Sequence, residues 1–356
     1  MMEWLADYGL FLLKAITIGA VILLLVGFVA GMNQRNRAGG RDGQIRIQDL
    51  NEELKDQTDD FQESLLSDDD LKQHRKAQKK KAKLEAKEEK KKRKQQDAKE
   101  QPEESGAGRL FVLDFDGDIK ASGVEALRQE ITAIVGNKLE SDEVLIRLQS
   151  PGGLVHSYGL AASQLARIKQ AGLRLVVVVD EVAASGGYMM ACVADEIIAA
   201  PFSVIGSIGV VAQIPNVHRL LKKNDIDVEI LTAGEYKRTL TVLGENTEKG
   251  RQKFIEELES THELFKLFIS EHRPELDLEA VATGEVWYGR DALANGLVDR
   301  IQTSDDYILE STKSKKVYKI SYEQKKTLAE KLGLAAELGL TRAVMRIWSQ
   351  HLNRWF

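Results

Sequence analysis

The stretch Ala183-Ala184-Ser185-Gly186-Gly187-Tyr188-Met189-Met190-Ala191 follows the apolar run LRLVVVV (173–179) and sets one hydroxyl among small neighbours. A strand that turns sharply into a helix exposes the first residues of that helix at the carboxyl edge of a sheet, where α/β folds carry their chemistry. Gly186 and Gly187 keep bulk away and admit a substrate backbone. Unpaired N–H groups at the helix start can hold a developing oxyanion. Ser185 is therefore a candidate nucleophile; the plainer alternative is a serine that only caps a helix. A second stretch, LQSPGGLVHSYG (148–159), has the same form: strand, then Pro151, then Gly152-Gly153 with bare N–H groups, then helix. The two turns lie about 35 residues apart in the chain. Both stand at strand-to-helix junctions, which points to one site built from both. The N–H groups of Gly153 and Gly186 can cradle the oxyanion of an acyl-transfer intermediate, with Gly152 in the same oxyanion or substrate-binding turn.

A serine nucleophile needs a base. Of the six histidines, His74 sits in a charged run, His351 near the end, and His262 and His272 in a helical stretch. His218 follows IPNV, so His156, beside the glycine turn, is the histidine candidate. The rival is Lys237 in LTAGEYKRTLT (231–241), after a strand and a glycine turn. Lysine is a base only when neutral, and an ordinary lysine, with a pKa of about 10.4, becomes so by burial among apolar groups.

Several elements must position these groups. LFVLDF (110–115), EVLIRL (143–148), LRLVVVV (173–179) and EIIAA (196–200) read as strands. Residues 123–135 and 158–171 read as helices between them, and about 247–272 as a long amphipathic helix. Alternating strands and helices mean βαβ units, a parallel sheet and an α/β class. The apolar run 197–214 is broken by Pro201, Ser203, Gly206-Ser207 and Gly209, so it reads as buried strand and loop rather than a second membrane span.

Outside that region the composition shifts. Ala15 to Met32 is eighteen residues without a charge, and Tyr8 to Leu13 extends it. This fits a bilayer-spanning helix of roughly 20 residues. Glu3 and Asp7 at the start argue against a cleaved signal peptide. Lys72 to Lys94 carries thirteen Lys or Arg against three Glu, in a chain of 356 residues with a formal net charge of −5. That run is a solvated helical or disordered arm, or a basic arm on anionic headgroups. It has no aromatic residues to stack bases, so nucleic acid is not a partner. The single cysteine, Cys192, forms no intramolecular disulfide and reads as a small core residue. The expected organisation is an anchor at 1–32, a charged arm and linker at 33–108, a catalytic domain at 109–320 and an amphipathic helical tail at 321–356. The tail mixes Arg342, Arg346 and Arg354 with Trp348, Trp355 and Phe356, which suits a membrane surface or a packing interface.

SPGG (150–153), ASGGYMMACVAD (184–195), IGSIGVV (205–211), GEYKRTL (234–240) and WYGRDALANGLVD (287–299), in this order, resemble the signal peptide peptidase SppA family of serine peptidases. The resemblance covers most of the chain, including the anchor and the lysine-rich arm of the family's short form. It implies the ClpP/crotonase spiral of stacked ββα units. It also implies Ser185 as nucleophile, Lys237 as general base and Ser207 as the residue holding that lysine, with no metal and no cofactor. One departure is the run LTVLGENTEKG (240–250), where many members carry a proline after the lysine. The resemblance further implies peptide or protein substrates and a homo-oligomeric ring or dome, in which the lysine reaches the serine of a neighbouring subunit. It places the protein in the bacterial inner membrane with the domain in the periplasm. Arg35, Arg37 and Arg41 after the span would instead hold it in the cytoplasm. Two alternatives remain: a crotonase-like acyl-CoA enzyme, which uses the cradle without a nucleophilic serine, and an inactive membrane scaffold.

Overall fold

A computed structural model describes residues 43–67, 69–72 and 108–324. The anchor expected at 1–32, residues 73–94 of the lysine-rich run, and residues 325–356 of the tail lie outside the described residues. Among the described residues no helix is long and apolar enough to cross a membrane.

Residues Ile45–Tyr322 form one compact unit; of the flanking unit only residues 43–44 and 323–324 are described. The strands are β1 (Gly43–Asp49), β2 (Arg109–Asp116), β3 (Glu143–Gln149), β4 (Arg174–Val179), β5 (Val182–Ala184), β6 (Glu196–Ala199), β7 (Val204–Gly206), β8 (Val286–Tyr288), β9 (Arg300–Ile301) and β10 (Lys316–Gln324). The helices are α1 (Leu50–Leu65), α2 (Val124–Gly136), α3 (Val155–Gln170), α4 (Gly186–Ala191), α5 (His218–Lys223), α6 (Glu248–His272), α7 (Leu278–Val281), α8 (Gly289–Ala294) and α9 (Ser304–Ser311). A seven-stranded sheet runs β1-β10-β2-β3-β4-β6-β9, and a small sheet runs β5-β7-β8. The pairings β10–β2, β2–β3, β3–β4, β4–β6 and β6–β9 are all parallel. The fold is thus α/β, as expected.

The two-residue period of a strand explains the layering. In β2, Phe111, Leu113 and Phe115 face one core with Leu127 and Ile131 of α2 and Leu165 and Ile168 of α3. Leu110 and Val112, the alternate residues, face a second core with Tyr307 and Ile308 of α9. Each fully buried aliphatic side chain contributes about 1.5–3 kcal/mol of apolar transfer free energy. Helices therefore cover both faces, and continuous apolar runs such as Val176–Val179, all buried, are what a doubly covered parallel strand requires.

Two boundaries differ from the expectation. Residues 43–65, read as part of the charged arm, supply an edge strand and a helix. Asp49 caps α1 by accepting from the N–H groups of Asn51 and Glu52. The Asn51 amide donates to Thr312 O (3.2 Å) and Lys315 O (3.0 Å) and accepts from Val317 N–H (2.7 Å). Leu50 and Leu54 pack on the second core. These contacts lie in the first turn and just beyond it, and no residue of α1 is fully buried. At the other end β10 continues through Gln324, so the boundary expected at 321 falls inside a strand.

Candidate active site

Each strand that leads to the site ends in an unusual backbone conformation. After β5 the chain reaches Ser185 at φ 52, ψ −117, then enters α4 at once. After β7 it reaches Ser207 at φ 49, and after β3 it reaches Gly152 at φ 88. Left-handed φ in a residue with a Cβ is strained and persists only where the surroundings over-determine it. At Ser185 the surroundings are visible. Its N–H donates to Gly206 O (2.8 Å), and its carbonyl accepts from Met189 N–H (3.0 Å). Tyr188, three residues on, anchors α4 by donating its hydroxyl to Leu297 O (2.9 Å).

β5 and β7 are parallel with Ala184 opposite Gly206, so the next residues, Ser185 and Ser207, stand side by side at the strand ends. Adjacent strands lie roughly 4.8 Å apart. Ser207 is held by its own N–H, which donates to Glu285 O (2.6 Å). The structure thus brings Ser207 beside Ser185.

It also unites the two glycine turns. Ser150 N–H donates to Val182 O (2.8 Å), and Ala184 N–H donates to Ser150 O (3.0 Å), joining the end of β3 to β5. Gly152 lies directly against the elbow. A methyl group there would stand 2.7 Å from both Ala184 O and Gly186 N, and 2.8 Å from Ser185 Cβ. The Gly152 N–H is taken by Ser150 Oγ at 3.1 Å, so Gly152 contributes close packing to the turn rather than a free donor. Among the described residues neither Gly153 N–H nor Gly186 N–H has a hydrogen-bond partner. Those are the two donors expected of an oxyanion cradle.

Ser150 and Tyr158 were not singled out in the sequence. Both are fully buried, with Ser150 Oγ 2.6 Å from Tyr158 Oη. The Tyr158 hydroxyl donates to Asp118 O at 2.8 Å. Burial raises the Tyr158 pKa above its ordinary value, partly offset by the Ser150 hydrogen bond, so the hydroxyl stays a donor. A single sequence carries no signal for this pair beyond a serine and a tyrosine eight positions apart.

The bases are placed differently. His156 is exposed in the first turn of α3, and no hydrogen bond joins it to Ser185. Lys237 is exposed in a turn whose N–H donates to Gly234 O (3.2 Å). The neighbouring Tyr236 ring lies under Lys249 and Lys253 of α6, with ammonium-to-centroid distances of 5.9 and 5.4 Å. The same helix meets the Ser207 strand end where His262 Nε2 lies 3.2 Å from Ile208 O. At 1.5 Å per helical residue, the Lys237 turn sits roughly 14–20 Å along α6 from that point. The structure does not bring Lys237 to the serine of its own chain. From Val211 to Leu243 no residue is buried, and Val211 and Leu231 are 91% and 89% exposed.

A cavity of about 230 Å³ lies at the carboxyl ends of β2, β3 and β4, and no candidate catalytic residue lines it. Most of its polar walls are already paired. Arg147 donates to both oxygens of Asp114 (2.6 and 2.9 Å), and Gln149 donates to Glu181 (2.8 Å). Cys192 is buried, its thiol pushed up to about 12 by desolvation, which makes it inert. Among the described residues no group of His, Cys, Asp and Glu could hold a metal ion.

Residues 3–165 match the family model described as Peptidase family S49 N-terminal, and residues 167–318 match Peptidase family S49. A probable protease SohB of Haemophilus influenzae is 56% identical over 333 residues, covering 94% of this chain and 93% of that protein. A probable protease SohB of Buchnera aphidicola subsp. Schizaphis graminum is 48% identical, over 88% of each. Among solved structures, a 1510-N membrane-bound stomatin-specific protease in complex with a substrate peptide is 15% identical at a TM-score of 0.37. That likeness covers 64% of this chain and 96% of the other.

Proposed function

Because the chain belongs to peptidase family S49, we propose that it is a membrane-anchored serine endopeptidase whose nucleophile, Ser185, is activated by Lys237 of the partner subunit. The chain is a peptidase, and peptides or proteins are its substrates. The observation that carries the reading is the elbow at Ser185. One strained serine stands against a glycine turn, with the unpartnered N–H groups of Gly153 and Gly186 nearby and a second strained serine at its side.

The chemistry follows from those positions. Ser185 Oγ attacks the peptide carbonyl carbon while its proton passes to neutral Lys237 Nζ. The carbonyl oxygen, now an oxyanion, accepts from Gly153 and Gly186 N–H. Collapse breaks the C–N bond, and the leaving amine takes the proton back from Lys237. Water then attacks the acyl carbon, giving its proton to Lys237; collapse breaks the C–Oγ bond, the proton passes from Lys237 to Ser185 Oγ, and the acid product leaves. Ser207, beside Ser185 at the strand ends, would accept from the lysine ammonium and aim it. No metal or cofactor enters.

Two features support a base from another copy: the distance of the Lys237 turn from its own Ser207 strand end along α6, and the wholly unburied stretch 211–243 that a second copy would cover. A homo-oligomeric ring or dome satisfies both and encloses the serines. A ClpP/crotonase spiral suits the topology, because successive turns of chain give one strand to the large sheet and one to the small sheet: β4 then β5, β6 then β7. The anchor at 1–32 would hold the enzyme in the bacterial inner membrane, with the domain in the periplasm. The arginines after the span favour the cytoplasm instead.

Subunit mixing tests the dyad. Ser185→Ala and Lys237→Ala proteins, each inactive alone, are co-expressed with different tags and purified through both. Mixed assemblies should recover part of the wild-type peptidase activity. Mixed assemblies that stay inactive place the dyad within one chain.

A further inference from the structure

The buried Ser150–Tyr158 pair touches both halves of the cradle. A tyrosine hydroxyl has one proton, and Tyr158 gives it to Asp118 O (2.8 Å). The 2.6 Å contact with Ser150 must then be donated by Ser150 Oγ–H to Tyr158 Oη. That leaves the serine oxygen to accept from Gly152 N–H (3.1 Å). The result is a directed chain, Gly152 N–H to Ser150 to Tyr158 to the Asp118 carbonyl, with every proton used. Gly117 makes room for it: a methyl group there would lie 2.4 Å from Ser150 Oγ and 2.5 Å from Tyr158 Oη.

At one end the chain turns the Gly152 N–H inward, at φ 88, and leaves the next N–H, that of Gly153, without a protein partner. At the other end the ring of the same tyrosine floors the nucleophile turn. A methyl group on Gly186 would meet Tyr158 Cγ, Cδ2 and Cβ at 2.4, 2.7 and 2.8 Å. One side chain thus sets one cradle donor through its hydroxyl and the other through its ring. We propose that Tyr158, acting with Ser150, is a positioning residue that holds the Gly153 and Gly186 N–H groups in the mutual geometry the oxyanion needs.

This rests on Ser185 being the nucleophile and on those two N–H groups being the donors. It predicts a loss confined to the transition state, because the oxyanion exists only there. Removing an oxyanion donor outright costs about 10²–10³ in kcat; loosening its aim should cost roughly tenfold.

The test uses full-length protein. Four forms are compared: Tyr158→Phe, which keeps the ring, Ser150→Ala, the double variant, and Ser185→Ala. Active serines are titrated with a fluorophosphonate, kcat and KM are measured per titrated site on a fluorogenic peptide, and inhibition by a peptide aldehyde is measured. Tyr158→Phe should lower kcat roughly tenfold with KM within about twofold, and should weaken the aldehyde, whose adduct carries the oxyanion, by the same factor. The double variant should lose no more than the larger single loss, as members of one chain do. An unchanged kcat per site overturns the inference, as does a loss expressed only in KM or only in the number of titrated sites. If Tyr158→Phe yields no titratable protein, Ser150→Ala decides by the same criteria. Cleavage that survives in Ser185→Ala sinks the nucleophile assignment itself; an inactive Ser185→Ala beside a fully active Tyr158→Phe sinks only the positioning role.

Discussion

Gly152→Ala is the sharpest perturbation of the elbow, because the structure gives its size. The added methyl would stand 2.7 Å from Ala184 O and Gly186 N and 2.8 Å from Ser185 Cβ, where ordinary contact begins at 3.4 Å. Two strands' ends must separate by roughly 0.6–0.7 Å to admit it, an overpacking cost of about 1–3 kcal/mol. The residue must also keep φ 88 with a Cβ, at about 1–2 kcal/mol. A total near 3 kcal/mol lowers Tm by roughly 6–12 °C in a domain of this size. The shift falls on Ser185 and on Gly186 N–H, and a 1 Å misplacement of reacting groups costs on the order of 10²-fold, so kcat should drop roughly 30- to 100-fold. Gly172→Ala is the control. It has φ 78 at the end of α3 but nothing within 4 Å, so it carries the backbone strain alone. Calorimetry and steady-state kinetics on a fluorogenic peptide should find Gly172→Ala less stable by about 1–2 kcal/mol and fully active. A Gly152→Ala enzyme with kcat within threefold of wild type, or a Gly172→Ala enzyme that loses as much, would refute the reasoning.

Two further outcomes follow from contacts outside the site. Burial alone would raise the Asp299 pKa, but the Arg273 hydrogen bonds and charge and the Ile197 N–H outweigh it, holding the carboxyl below its ordinary 3.8. A depressed carboxylate stabilises above its unfolded pKa and stops doing so as pH falls through the folded one. Tm measured from pH 6 down to pH 3 should therefore fall less steeply in Asp299→Asn than in wild type, with kcat at neutral pH unchanged; parallel curves would contradict this. Asn51→Ala removes three hydrogen bonds between α1 and the β10 end, worth about 0.5–1.5 kcal/mol each. Hydrogen exchange across 43–65 and at Val317 should quicken at least tenfold while peptidase activity persists, and unchanged exchange would show that Leu50 and Leu54 hold the segment by themselves.

The strands that carry the site were legible because their apolar runs are unbroken. The runs at 110–115, 143–148, 173–179 and 196–200 became β2, β3, β4 and β6, each within two residues at either end. The meeting of the two glycine turns was legible too. Both lie at strand-to-helix junctions; what the pattern did not show is that they end strands of two different sheets, β3 and β5, joined by the Ser150–Ala183 bridge. The segment 43–65 was not legible. β1 reads GQIRIQD, an alternating edge strand with few apolar residues, and its helix puts only two leucines, Leu50 and Leu54, against the core. Ser150 and Tyr158 escaped notice because their partnership depends on a bond between a turn and the helix after it, which neither periodicity nor composition encodes. Where the Lys237 turn rests along α6 was beyond reach for another reason. Its turn is fixed by α6 through Tyr236, Lys249 and Lys253, and spacing along the chain says nothing about where on a 25-residue helix a loop will rest.

The central claim is that the hydroxyl held at φ 52 after β5 is the nucleophile. The most direct measurement is to label the full-length protein with a fluorophosphonate, digest it, and locate the modified residue by mass spectrometry. The modification should fall on Ser185, and Ser185→Ala should abolish both labelling and peptide cleavage while Tm stays within a few degrees of wild type. Labelling at another serine, or a Ser185→Ala protein that cleaves peptide at the wild-type rate, would contradict the account.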